Sequence, residues 1–308
     1  MNRWRDTLRD KRVAVSGSVL LILAIAAFGA PPLAALLGLD PDMVDLYRRF
    51  AAPSLAHPLG TDEIGRDLLF RLLEGGRVSL LVGIVAAIGA AIFGTTMGLI
   101  AGYRGGRLDA ALMRFTDGMI ALPLLPLLVV LAALDLKKLG IPAAIVDSPV
   151  ISVERIIVLV ALVGWTTVAR IVRGATLSLK SRDFVRAAIA LGATGPRVML
   201  VHILPNLASP IIVATTLAVG ETILLESILS FLGLGVAPPI PSWGNMLTTA
   251  QETIALAPQL ALYPGLLIFI TVIACNFLGD GLQDALDPRA QHRVVPETAA
   301  ATALEKAP

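Results

Sequence analysis

Charges fall in clusters along this chain, and the stretches between clusters are apolar. About 20 helical residues cross the hydrocarbon core of a bilayer. Charge-free runs of that order lie at Val13–Leu39, Val78–Tyr103, Gly118–Leu134, Ile156–Ala169 and Thr253–Gly279. A sixth begins at Val198 and reaches about Leu232, interrupted by Glu221 and Glu226 alone. The pattern predicts six spans, over about 13–37, 78–103, 118–134, 152–171, 206–232 and 256–280. The third and fourth are short, and cross if they tilt little or end in snorkelling side chains. Arg3, Arg5, Arg9, Lys11 and Arg12 precede the first run, as in a signal peptide. A signal h-region is only about 7–15 residues, so an uncleaved first helix is expected. This divides the chain into an N-terminal segment 1–12, a membrane domain 13–290 and a loose tail 291–308.

Six spans place both termini on one side. With the N-terminus inside, 17 of the 25 Lys and Arg residues fall in inner segments and 8 in outer ones. The positive-inside rule therefore predicts cytoplasmic N- and C-termini.

Composition agrees. Of 308 residues, 56% are hydrophobic and 16% charged, whereas a soluble domain carries about 25% charge. A soluble fold and a disordered chain are both excluded. The excess is aliphatic, with 27 Gly, which suits closely packed membrane helices. Cys275 is the single cysteine, and His57, His202 and His292 lie far apart, so neither a disulfide framework nor metal-ligand spacing is present. A net charge of +2 gives no sign of nucleic-acid binding.

Several local patterns carry expectations. Ala90, Gly94, Gly98 and Gly102 form a small-residue stripe for close helix approach, serving either packing or a hinge. Pro123 and Pro126 should bend the third span. In His57–Gly76 (HPLGTDEIGRDLLFRLLEGG), Thr61 reads as an N-cap, with Asp62 and Glu63 beside it. Ile64, Leu68, Leu69, Leu72 and Leu73 share a face, Asp67 and Arg71 can pair, and Gly75–Gly76 end the helix. A short amphipathic helix on the outer surface is expected there. Ser242 is placed to cap a short helix that includes Trp243.

Between the fourth and fifth spans lies a long basic inner loop, 172–205. Phe184, Ala187, Ala188 and Leu191 stand at helical spacing, and Gly192 follows as a C-cap or bend. A short helix tethered between two spans either docks a soluble partner or lies on anionic lipid. Physics alone leaves both readings open.

The same loop resembles the coupling loop of binding-protein-dependent ABC importer permeases, with pattern E-A-A-x3-G-x9-I-x-L-P. Ala187, Ala188, Gly192, Leu204 and Pro205 fall on it; Arg186 stands in place of Glu and His202 in place of Ile. Both departures are typical of the peptide branch. His57–Leu80, Glu226–Leu247 and Asn276–Arg289 also resemble that branch, in the right order. The chain is thus similar to the C-type permeases of dipeptide, oligopeptide and nickel importers. This resemblance implies an all-α integral membrane protein with six transmembrane helices and the type I ABC importer permease fold. It implies a homologous B-type permease partner, two ABC ATPase subunits that carry ATP and Mg, and an extracytoplasmic solute-binding protein. It implies a place in a bacterial or archaeal inner membrane and no cofactor on this chain. By the same resemblance, Asp183, Phe184, Arg186, Ala187, Ala188, Leu191, Gly192, His202, Leu204 and Pro205 would couple to the ATPase. Peptides are the implied solutes, with nickel chelates or sugars as alternatives, moved by alternating access.

No nucleotide chemistry belongs to the chain itself. Its nearest approach to a phosphate loop, Gly174–Ser181, lacks the second glycine. A stand-alone secondary transporter would need intramembrane ion sites and often an inverted repeat, and the sequence displays neither. An intramembrane hydrolase would need a nucleophile–base or metal set within the bilayer, and none stands out. Glu221 and Glu226 are the ionisable residues well inside a span, about 140° apart around the helix. Each either hydrogen-bonds within the bundle or lines the translocation path. The stretch 236–258 either closes the outer mouth or touches the binding protein.

Overall fold

The computed structural model describes residues 10–37, 40, 42–138, 140, 142–146 and 148–286; segment 1–9 and the tail 291–308 lie outside the described residues. Five helices are long and apolar enough to cross a membrane. They are α1 (Lys11–Leu37), α2 (Leu68–Arg104), α5 (Pro149–Lys180), α7 (Ala208–Phe231) and α9 (Gln259–Leu286). Between them lie α3 (Gly106–Ala121), α4 (Leu124–Ala132), the short α6 (Asp183–Ala190) and α8 (Trp243–Thr253).

The sixth crossing is broken. α3 and α4 meet at 85°, so the span expected to bend over 118–134 is two helices. Leu122 is forced extended (φ −75°, ψ 136°) by the proline after it, which also lacks the N–H that would continue the ladder. Pro126 falls in the first turn of α4, where a missing N–H costs little. The fourth span also exceeds its expected range, because Pro149 starts α5 and the helix continues to Lys180.

The small-residue stripe is a packing surface. A Cβ on Gly94 would lie 2.5 Å from the Trp165 carbonyl oxygen, and one on Gly102 would lie 2.7 Å from Thr176 Cβ. On Gly98 it would overlap the Ala169 carbonyl oxygen and lie 2.9 Å from the Arg173 nitrogen. α2 and α5 therefore touch backbone to backbone. Trp165 closes the seam, edge-on to Phe93 at 5.0 Å and stacked on Phe115 at 5.8 Å, which fastens α3 to the pair.

The outer segment departs from expectation. Thr61 caps no helix; the N-cap of α2 is Asp67, which accepts from the Phe70 N–H at 3.0 Å. Residues before it form a tight turn, in which Asp62 accepts from the Ile64 and Arg66 N–H groups at 3.0 and 2.8 Å. Gly75 and Gly76 do not end the helix either, since α2 runs through them. Their function is spatial: a Cβ on Gly76 would lie 2.7 Å from the Trp243 ring, so the pair admits α8 against α2. Tertiary packing here overrides helix propensity. Asp67 and Arg71 do not pair. Asp67 binds His57 Nδ1 at 3.0 Å, while Arg71 reaches Asp42 at 2.9 Å and the Pro239 carbonyl at 3.3 Å.

Ser242 caps α8 as expected. Its Oγ accepts from the Asn245 N–H, and Asn245 Oδ1 accepts from the Ser242 N–H, a reciprocal capping box. Trp243, 2% exposed, donates its indole N–H to the Leu72 carbonyl at 2.9 Å. The outer loop is thereby sealed onto the bundle.

Candidate coupling surface and translocation face

α6 hangs between the C-terminal end of α5 and the helical turns that lead into α7. Val185 belongs to a buried cluster with Val172, Val198, Ile203 and Leu207. Ala188 sits on the same face, one turn on, and is also buried. Ala187 and Ala188 are therefore not an exposed pair: a 100° step puts one outside and the other inside. The outward face carries Phe184, Ala187 and Leu191, flanked by exposed Asp183 and Arg186. Leu191 is 89% exposed, an uncovered apolar side chain at the helix end.

Gly192 ends α6 with φ +86°, a left-handed value that suits glycine. Its N–H bonds to the Ile189 carbonyl, and the Ala193 N–H to the Ala188 carbonyl, the two bonds of a Schellman cap. Pro205 then deprives the ladder of a donor. The backbone answers with a wide helical turn at Val198–Ile203 and a tight one at Leu204–Leu207. Asn206 Nδ2 covers the His202 carbonyl at 2.7 Å. His202 and Leu204 are half-buried, and Pro205 is exposed. The coupling candidates thus divide into an outward set on α6 and a supporting set at the base of α7.

Polar clips hold α5, from which α6 continues, to α3 and α2. Arg173 grips Asp109 of α3 with two bonds, at 2.5 and 2.7 Å. Lys180 donates to the Tyr103 carbonyl at 2.5 Å and lies 5.5 Å from the Tyr103 ring centroid.

The two intramembrane carboxylates occupy opposite environments. Glu226 is completely buried. It accepts from Ser79 Oγ of α2 at 2.9 Å and from Ser230 Oγ of its own helix at 2.7 Å. Each serine in turn accepts a backbone N–H of the outer loop, Trp243 at 3.2 Å and Val236 at 3.1 Å. Glu226 lines no open face of this structure; through its two serine partners it ties α2, α7 and the loop before α8 together. Glu221 is exposed, in a groove of about 410 Å³ between α5, α7 and the α3–α4 break. Arg170, Thr166 and Thr167 share that groove. Sequence reasoning missed both Ser79 and the groove, because a serine or threonine in an apolar run carries no mark of its partner.

At the N-terminal end of α2, a cavity of about 290 Å³ is lined by Asp62, Glu63, Arg66, Arg71 and Asn245 with apolar neighbours. Burial pushes the Glu63 carboxyl above its ordinary pKa. Among the described residues no cluster of ligands could hold a metal ion.

Over residues 94–292 the sequence matches the family described as binding-protein-dependent transport system inner membrane component. It is 39% identical over 287 residues to a glutathione transport system permease protein of Pectobacterium atrosepticum, covering 93% of this chain and 90% of that protein. Identity is 38% over 291 residues to the dipeptide transport system permease protein DppC of Alkalihalophilus pseudofirmus, again covering 93% and 90%. The oligopeptide permease OppC of Bacillus subtilis is 36% identical over 293 residues, covering 94% and 90%. Among solved structures, a chain of the inward-facing methionine ABC transporter MetNI is similar at TM-score 0.55 and 18% identity, covering 71% of this chain and 97% of that one. That last likeness is one of fold.

Proposed function

The chain belongs to the family of binding-protein-dependent transport system inner membrane components, and on that premise we propose that it forms half of a peptide importer's channel and is driven by ATPases docked on α6. The carrying observation is the two-faced α6. Its inner face is locked to the bundle through Val185 and Ala188, while Phe184, Ala187 and Leu191 remain uncovered. An apolar helix face beside exposed charges suits a groove on a soluble subunit. ATP and Mg reside on that subunit, and this chain supplies no catalytic group.

Movement follows from rigidity. ATP-driven closure of the ATPases shifts α6, and the clips through Arg173 and Lys180 carry the shift into the spans. A second, B-type permease facing this one completes the path. The solute enters from a binding protein outside and leaves inward when the pair reopens. Peptides are favoured as solutes by the names of the relatives at 36–39% identity. Glu221 lies on the path side of α7 in this reading, and Glu226 does not.

The test is Leu191→Asp. The residue is exposed, so the variant should insert and fold as the parent does. Capture of the ATPases by the tagged permease should fall about tenfold or more, since a desolvated charge with no partner costs several kcal/mol at a buried contact. Undiminished capture with full solute-stimulated ATP hydrolysis would defeat the docking assignment. Orientation has its own check. On a Cys275→Ser background, Ser54→Cys and Thr248→Cys should react with an impermeant thiol reagent in intact cells, and Ser181→Cys should not. Reaction at position 181 would reverse the topology.

A further inference from the structure

Glu221 lies about ten residues from the outer end of α7 at Phe231, or roughly 15 Å along the helix. That is close to the middle of a hydrocarbon core about 30 Å thick. Its groove has apolar walls, from Met119, Leu122, Val163 and Leu225, with the exposed Thr167 hydroxyl on the α5 side. Two charged residues line it, Glu221 and Arg170. Arg170 is already engaged, its Nη2 lying 2.6 Å from Asp117 Oδ1. The Glu221 side chain makes no hydrogen bond or ion pair among the described residues. The groove therefore holds a carboxyl group without a countercharge, at a depth where an unpaired carboxylate is costly.

A passing solute can supply the missing charge. We propose that this groove selects solutes bearing a protonated amino group, with Glu221 as the counter-ion. The proposal rests on the reading of this face as part of the translocation path. An ammonium group finds its opposite charge in surroundings of low dielectric, where the attraction is stronger than in water. An anionic chelate meets repulsion. The apolar walls offer little directional bonding, so the groove reads the amine and tolerates varied side chains beyond it.

A binding protein would impose its own selection on uptake, so the test probes the groove directly. In the assembled transporter, Thr167→Cys on a Cys275→Ser background places a thiol in the groove. Its reaction rates with a cationic and an anionic methanethiosulfonate of similar size are compared, each relative to a small free thiol. The cationic reagent should be favoured about tenfold or more, as expected of a charged cleft with low-dielectric walls. Adding Glu221→Gln should return the ratio to that of the free thiol. If the ratio is the same with and without Glu221, amine selection is overturned while the path reading stands. If neither reagent reaches the thiol in the assembled transporter, the path reading falls and the proposal falls with it.

Discussion

Replacing Gly98 by leucine is expected to separate α2 from α5 and leave little folded permease in the membrane. The seam between these helices is built from backbone contacts, and the Gly98 position is enclosed by the Ala169 carbonyl, the Arg173 nitrogen and Val172 Cβ. Overpacking a well-filled interior costs about 1–3 kcal/mol when side chains can give way. Backbone atoms of a hydrogen-bonded helix cannot rotate aside, so the cost should reach the top of that range or exceed it. The damage also spreads, because Arg173, one turn from Ala169, anchors Asp109. Thermal unfolding of the purified protein in detergent should show a large loss, with Gly98→Ala intermediate. Gly17, with nothing within 4 Å of a new Cβ, provides the control, and Gly17→Leu should leave the melting temperature unchanged. Equal melting of Gly98→Leu and its parent would show that the seam is not as tight as drawn.

Glu226→Ala should be the second most damaging change, for a different reason. Removing the carboxylate leaves a cavity and deprives the Ser79 and Ser230 hydroxyls of their acceptor. Cavity and unpaired groups together should cost about 2–5 kcal/mol. Glu226→Gln keeps the volume and one acceptor oxygen, so it should lose less than half as much. Both variants should be less thermostable, and the outer loop should become more accessible to protease around Trp243. Uptake per assembled complex at low temperature should stay near that of the parent with Gln. A full-strength melting temperature with abolished uptake would restore Glu226 to the path.

These two residues show where the sequence was legible. The glycine stripe at spacing four announced a helix contact, because small residues at that interval serve few other ends. It did not name the partner. Glu221 and Glu226 were equally conspicuous as carboxylates in an apolar run, and their five-residue separation even gave the angle between them. Which one faced protein and which faced open space depended on Ser79, 147 residues from Glu226 in sequence. Ala187 and Ala188 posed the same problem on α6, where neighbouring small residues take opposite sides.

Apolar run length and the Ser242 cap are local properties, so the sequence by itself determined an all-helical membrane chain and the capped α8. The family-like loop was legible for the same reason, since its residues lie within one short stretch. Pro123 announced the bend between α3 and α4 in the same local way, although not its angle of 85°. Tertiary structure alone decided that Gly75–Gly76 admit Trp243 instead of ending a helix, and that Asp67 serves His57 and not Arg71. In a soluble protein, polarity separates the inward face of a helix from the outward one. In a bilayer both faces are apolar, so the facing of each side chain is set by the neighbours that packing brings to it.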